Sequence, residues 1–87
     1  MSNKKTLEKL CRAPPPSDLR WSELVTLLKS LGYRMLTSGG SRRKFYHQEK
    51  DALISCHEPH PSPNVDKGCI VDIAAHLKAY GFLKRNG

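Results

Sequence analysis

Residues 33–56 read YRMLTSGGSRRKFYHQEKDALISC, and two clusters of turn residues cut this stretch into three extended pieces. Ser38-Gly39-Gly40 separates 33–37 from 42–48, and Glu49-Lys50-Asp51 separates the latter from 52–56. Turn signals at such short, regular spacing predict an antiparallel meander of three strands. On the middle strand, alternation puts Arg42, Lys44 and Tyr46 on one side and Arg43, Phe45 and His47 on the other. Phe45 is the strongest core candidate of the six. The face carrying Arg42, Lys44 and Tyr46 is therefore expected to point away from the core.

The segments on either side are amphipathic helices. Leu24, Leu27, Leu28 and Leu31 recur at i, i+3, i+4 and i+7, with Ser22 as the expected N-cap, Glu23 in the first turn and Gly32 as the stop. Trp21, ahead of that cap, is expected to pack under the helix. Ile70, Ile73, Ala74 and Leu77 repeat the spacing in a second helix over 67–80, capped by Asp66 and ended by Gly81. Each helix has one apolar stripe, and one face of the sheet is the available partner for both. The expected architecture is α+β, in the order α-β-β-β-α, with a three-stranded antiparallel sheet, helices on one face and the other face open.

Ahead of this unit, 3–12 carries Leu7 and Leu10 at helical spacing, with Thr6 as a cap candidate. Pro14-Pro15-Pro16 then lacks amide donors and favours an extended linker. The chain accordingly divides into an N-terminal helical appendage and Pro-rich linker, 1–18, and a domain over 19–87.

With 87 residues the chain has room for one core, and a domain of this size buries only about 60–65% of its unfolded surface. An enclosed active site of the large-enzyme kind is not expected. Fifteen Lys and Arg against eight Asp and Glu give a formal net charge of +7, which favours a polyanionic partner. No apolar run reaches the roughly 20 residues of a membrane span, and 1–9 has charge but no apolar core of a secretory signal. Three scattered cysteines make no disulfide framework, so a reducing cytoplasm is the expected compartment.

The stretch 34–47 holds Arg34, Arg42, Arg43 and Lys44 and no acidic residue. Backbone amides at the Gly39-Gly40-Ser41 turn, beside arginine forks, suit a phosphate. Tyr46 offers a ring on which a base can stack. Ser41, Arg42, Arg43, Lys44 and Tyr46 are thus the candidate RNA-contacting set. The plain alternative is a strand whose charges only guard it against edge-to-edge pairing.

Several motifs, in order, resemble the HicA family of toxin–antitoxin modules. They are the Leu24-to-Gly32 helix leading into a strand, Gly40-Ser41-Arg42-Arg43-Lys44-Phe45, and a histidine-bearing loop after the third strand. Lys67-Gly68-Cys69-Ile70 opening the last helix and Tyr80-Gly81-Phe82-Leu83 closing it complete the set. The likeness spans about residues 19–83. It implies a fold like a double-stranded-RNA-binding domain, an mRNA-cleaving endoribonuclease toxin, and a HicB-like antitoxin as protein partner. The pattern departs at Arg42, where HicA-like sequences usually carry a histidine as the presumed catalytic residue. Arginine stays protonated and cannot act as a general base, although it can stabilise a phosphorane-like transition state.

Cleavage by 2′-hydroxyl attack needs a proton acceptor and a proton donor, and imidazole serves as either near neutrality. The catalytic candidates are His57, His60 and His47, in that order; His76, mid-helix, is expected at the surface. His57 follows the third strand, His60 sits between prolines, and His47 points with Phe45. Cys56, His57, His60 and Cys69 suggest zinc at first sight, but adjacent Cys56 and His57 face opposite sides of an extended chain. No metal or cofactor is expected. A catalytically inactive RNA- or partner-binding module of the same fold is the alternative to an endoribonuclease.

Overall fold

Phe45 is completely buried at the centre of a six-residue strand, and its neighbours alternate around it. The computed structural model describes residues 3–12, 14–37, 39–40, 42–59 and 62–82. Its elements are α1 (Asn3–Leu10), α2 (Trp21–Ser30), β1 (Arg34–Thr37), β2 (Arg42–His47), β3 (Ala52–His57) and α3 (Lys67–Ala79). The strands form one antiparallel sheet in the order β1-β2-β3, with β2 central. This is the expected α+β meander with flanking helices.

Register follows from burial. Phe45 lies opposite Met35 on β1 and Ile54 on β3, and β3 alternates strictly, with Ala52, Ile54 and Cys56 buried and Leu53, Ser55 and His57 exposed. A slip of one residue would turn Phe45 and Ile54 to water. Leu24, Leu27 and Leu28 of α2 and Ile70, Ile73 and Leu77 of α3 fill the core on the Phe45 side.

The helix ends show how local chemistry sets boundaries. Asp66 caps α3 as expected, its carboxylate accepting the Gly68 amide at 3.0 Å and the Cys69 amide at 3.4 Å. At α2 the cap is Arg20, two residues before the expected Ser22, and Trp21 is already helical. Glu23 explains the shift, because its side chain accepts the Arg20 amide at 3.0 Å. Trp21 packs against Phe45, with ring centroids 5.8 Å apart. The loop after β3 returns to this corner, where Pro63 accepts the Trp21 amide at 2.8 Å and Leu19 accepts the Val65 amide at 2.7 Å.

The N-terminal helix packs against the core cluster. Leu10 is 2% exposed and belongs to the core cluster, Leu7 packs against it, and Thr6 is buried in mid-helix rather than capping it. Lys9 reaches Asp18 at 3.8 Å and Glu23 at 3.6 Å. The helical period was readable in the sequence, whereas the surface it covers depended on where the Pro-rich segment leads. Leu10→Ala is therefore expected to cost about 2–5 kcal/mol in urea unfolding, the range for emptying a buried leucine site. A change within error of zero would show that α1 does not contribute to the folded core.

Candidate functional site

The face opposite Phe45 is built by cross-strand pairing into rows. Arg34, Tyr46 and Leu53 form one row, Leu36, Lys44 and Ser55 the next, and Arg42 and His57 the last. Residues directly opposite in an antiparallel pair carry Cβ atoms about 4.5–5.5 Å apart on one face. Arg42 on β2 and His57 on β3 are thus brought side by side from positions fifteen apart in the chain. Lys44 and Tyr46, the expected open-face residues, do lie on this face, each half-exposed.

Pairing divides the cations. Arg43, on the covered side, holds Glu58 through Nη2 at 3.1 Å and donates through Nη1 to the carbonyls of Gly40 at 2.7 Å and Arg42 at 3.0 Å. It ties the β1–β2 turn to the segment leaving β3. Gly39 and Gly40 adopt φ of 84° and 59° there, values that suit residues without a Cβ. Arg34, Arg42 and Lys44 have no ion pair among the described residues. Tyr46 donates its hydroxyl to Asp51 at 2.9 Å, which fixes the ring over the sheet and raises the phenol pKa, the hydrogen bond being the largest cause. Leu36 and Leu53, 45% and 51% exposed, give the face apolar ground beside the cations. Sequence reasoning left Leu36, Leu53 and Ser55 out, and the signal that finds them is strand register, which needs both turns placed correctly.

The histidines separate. His57 is exposed at the end of β3. His47 is buried, and both ring nitrogens are engaged by backbone: Nε2 donates to the Leu31 carbonyl at 3.0 Å, and Nδ1 accepts the Lys50 amide at 3.2 Å. Gly32 makes room for this ring, since a Cβ there would stand 2.7 Å from Nε2. His47 thus joins the α2–β1 turn to the β2–β3 turn. Ser41 and His60 lie outside the described residues.

His76 is half-buried rather than a surface residue. Its Nε2 meets the Tyr33 hydroxyl at 2.8 Å, and its ring lies 4.5 Å from that of Tyr80. Burial, then Tyr80, pushes the Tyr33 phenol up to about 12, and burial lowers the His76 pKa. A phenol that holds its proton beside an imidazole that resists one makes Tyr33 the donor.

A groove of about 590 Å³ runs between β3 and α3, with His57, Cys56, Cys69, Asp66, Asp72 and His76 on its walls. Two aspartates and no lysine or arginine line it, which disfavours a phosphate chain. The cationic sheet face is the better place for a polyanion. Among the described residues no cluster of three His, Cys, Asp or Glu side chains could hold a metal ion, and no helix is long and apolar enough to cross a membrane.

Helices on one side of a small meander and an uncovered cationic sheet on the other define an α+β domain of the double-stranded-RNA-binding-domain type. Residues 21–82 match the family described as the HicA toxin of bacterial toxin–antitoxin modules, and the chain belongs to that family. No curated protein and no solved structure matches it.

The His76 geometry carries a pH signature. With the folded pKa below the unfolded value, the unfolded chain binds the proton first as pH falls. This contribution to stability is complete above about pH 6.5 and is lost below it, towards the lowered folded value. His76→Gln, which keeps an acceptor for Tyr33, is expected to flatten the fall in Tm between about pH 7 and pH 5. Superimposable Tm-against-pH curves would exclude the buried imidazole as a source of the slope.

Proposed function

We propose that this toxin binds single-stranded mRNA across its open sheet face and cleaves it by attack of a 2′-hydroxyl on the neighbouring phosphate. The observation that carries the reading is the Arg42–His57 cross-strand pair, on a face whose cations have no ion pair among the described residues. Arg34, Arg42 and Lys44 hold backbone phosphates, Ser41 contributes at the turn, and Tyr46 stacks a base. His57 removes the 2′-hydroxyl proton, and Arg42 stabilises the charge that gathers on the phosphoryl oxygens. The 2′-oxygen bonds to phosphorus as the 5′-oxygen leaves, giving a cyclic phosphate. His60 is the candidate that protonates the leaving oxygen. Arg43 is committed to Glu58, so its part is to shape the turn. The work takes place in the cytoplasm, and a HicB-like antitoxin silences it by covering the same face.

His57→Ala is expected to abolish both RNA cleavage and growth arrest while leaving RNA affinity within a few fold. Retention of full cleavage would remove His57 from the mechanism. Three phosphate-neutralising cations predict a log–log salt slope of about −2 for a single strand, and Lys44→Ala should make it shallower by about 0.7. Tyr46→Ala should weaken binding by about 1–3 kcal/mol with little change in that slope.

A second reading is favoured by Arg42 itself, which stands where HicA-like sequences usually have their histidine. In that reading the chain binds RNA or its antitoxin and does not cleave. It predicts harmless expression of the parent chain and toxicity gained by Arg42→His. The endoribonuclease reading predicts the reverse, a toxic parent.

A further inference from the structure

Cys56 and Cys69 meet across the groove between β3 and α3. Their Sγ atoms lie 3.1 Å apart although the residues are 13 positions apart in sequence. Cys56 ends the inward-facing row of β3 and is buried, while Cys69 is half-buried in the first turn of α3. Cys11, the third thiol, is exposed on the segment that follows α1. The span between the pair, 57–68, runs from His57 at the end of β3 through a Pro-rich stretch that includes His60 to the first residues of α3. Asp66 and Asp72 line the same groove, but among the described residues no group of three His, Cys, Asp or Glu side chains could hold a metal ion there.

We propose that Cys56 and Cys69 are a reversible dithiol modification site, which takes a low-molecular-weight disulfide as oxidant and closes into an intrachain bond across the His57 loop.

The two sulfurs have different surroundings. Cys69 sits at a helix N-terminus, where backbone amides and the helix dipole favour a thiolate. The two sulfurs share a hydrogen bond, which lowers the Cys69 pKa and raises that of Cys56; burial, then Asp66 and Asp72, oppose the Cys69 shift without reversing it. Cys69, the more exposed of the two sulfurs and the one at the helix N-terminus, is the attacking thiolate. Its sulfur bonds to one sulfur of the oxidant, the oxidant's S–S bond breaks, and one small thiolate leaves. Cys56 then yields its proton to solvent and attacks the Cys69 sulfur, expelling the second small thiolate. Two protein thiols give up two electrons and two protons, and one small disulfide becomes two thiols. The contact must shorten from 3.1 Å to about 2.05 Å. The site requires no RNA chemistry, so it stands or falls separately from the proposed cleavage.

The test treats the full chain with oxidised glutathione and reads intact mass, peptide map and melting. The expected product is a monomer that has lost two hydrogen atoms, with Cys56 linked to Cys69 and Cys11 still open to alkylation. Closing this loop should raise Tm by on the order of 10 °C, and dithiothreitol should restore the starting value. Cys11→Ser should behave like the parent, and Cys69→Ser should stop the reaction. A stable glutathione adduct on Cys69 that Cys56 never displaces would overturn the proposal. So would linkage through Cys11 alone, or three thiols that stay reduced. These readings on the parent chain decide the matter even if Cys69→Ser folds poorly.

Discussion

The structure depends on one constraint: a three-stranded sheet with a single covered side. Phe45 sets which side that is. Its complete burial, with Met35 and Ile54 across from it, forces every even-numbered residue of β2 to the far face. The cationic surface is thus a consequence of core packing, because Arg42, Lys44 and Tyr46 have nowhere else to go. Any change that rotated β2 would bury charge and expose the aromatic core together, two costs of the same sign.

The same constraint divides labour between adjacent arginines. Arg42 points to the open side, without an ion pair among the described residues, while Arg43 points to the covered side and is held by Glu58 and two turn carbonyls. A count of positive charges treats them alike, yet only one is available to a polyanion. The histidines divide similarly. His57 takes the outward position, and His47 the inward one, where backbone groups saturate both nitrogens. For a residue on a sheet, parity decides between the open face and the packed one before any detail of its surroundings matters.

This explains what the sequence disclosed and what it withheld. Strand alternation and leucine spacing gave the element order, the core side of β2 and the Asp66 cap, because these depend on neighbours a few positions away. The Arg20 cap carries no Ser/Thr/Asp/Asn signal, because Glu23 supplies the hydrogen bond from within the first turn. The docking of α1 through Leu10, the tie between Tyr33 and His76 and the meeting of Cys56 with Cys69 were hidden for a different reason. Each joins elements separated by a loop whose path no local pattern encodes. Residues 3–10 also precede the part of the chain that matches the family, so the packing of α1 adds to the core outside the shared domain.

β3 carries these ideas furthest, because it serves two surfaces at once. Its inward row ends at Cys56, which touches α3, and its outward row ends one residue later at His57, which faces Arg42. Pleating keeps the two side chains on opposite sides of the strand, so a change at the sulfurs need not displace any group on the cationic face. The backbone they share is another matter. Beyond His57 the chain leaves the sheet, and Glu58, the next residue, is held by Arg43 from the covered side. The Arg43–Glu58 pair, rather than any contact on the open face, therefore fixes how the His57 loop departs. His57 belongs both to the root of that segment and to the Arg42 row, so the direction in which the chain leaves β3 bears on the open face.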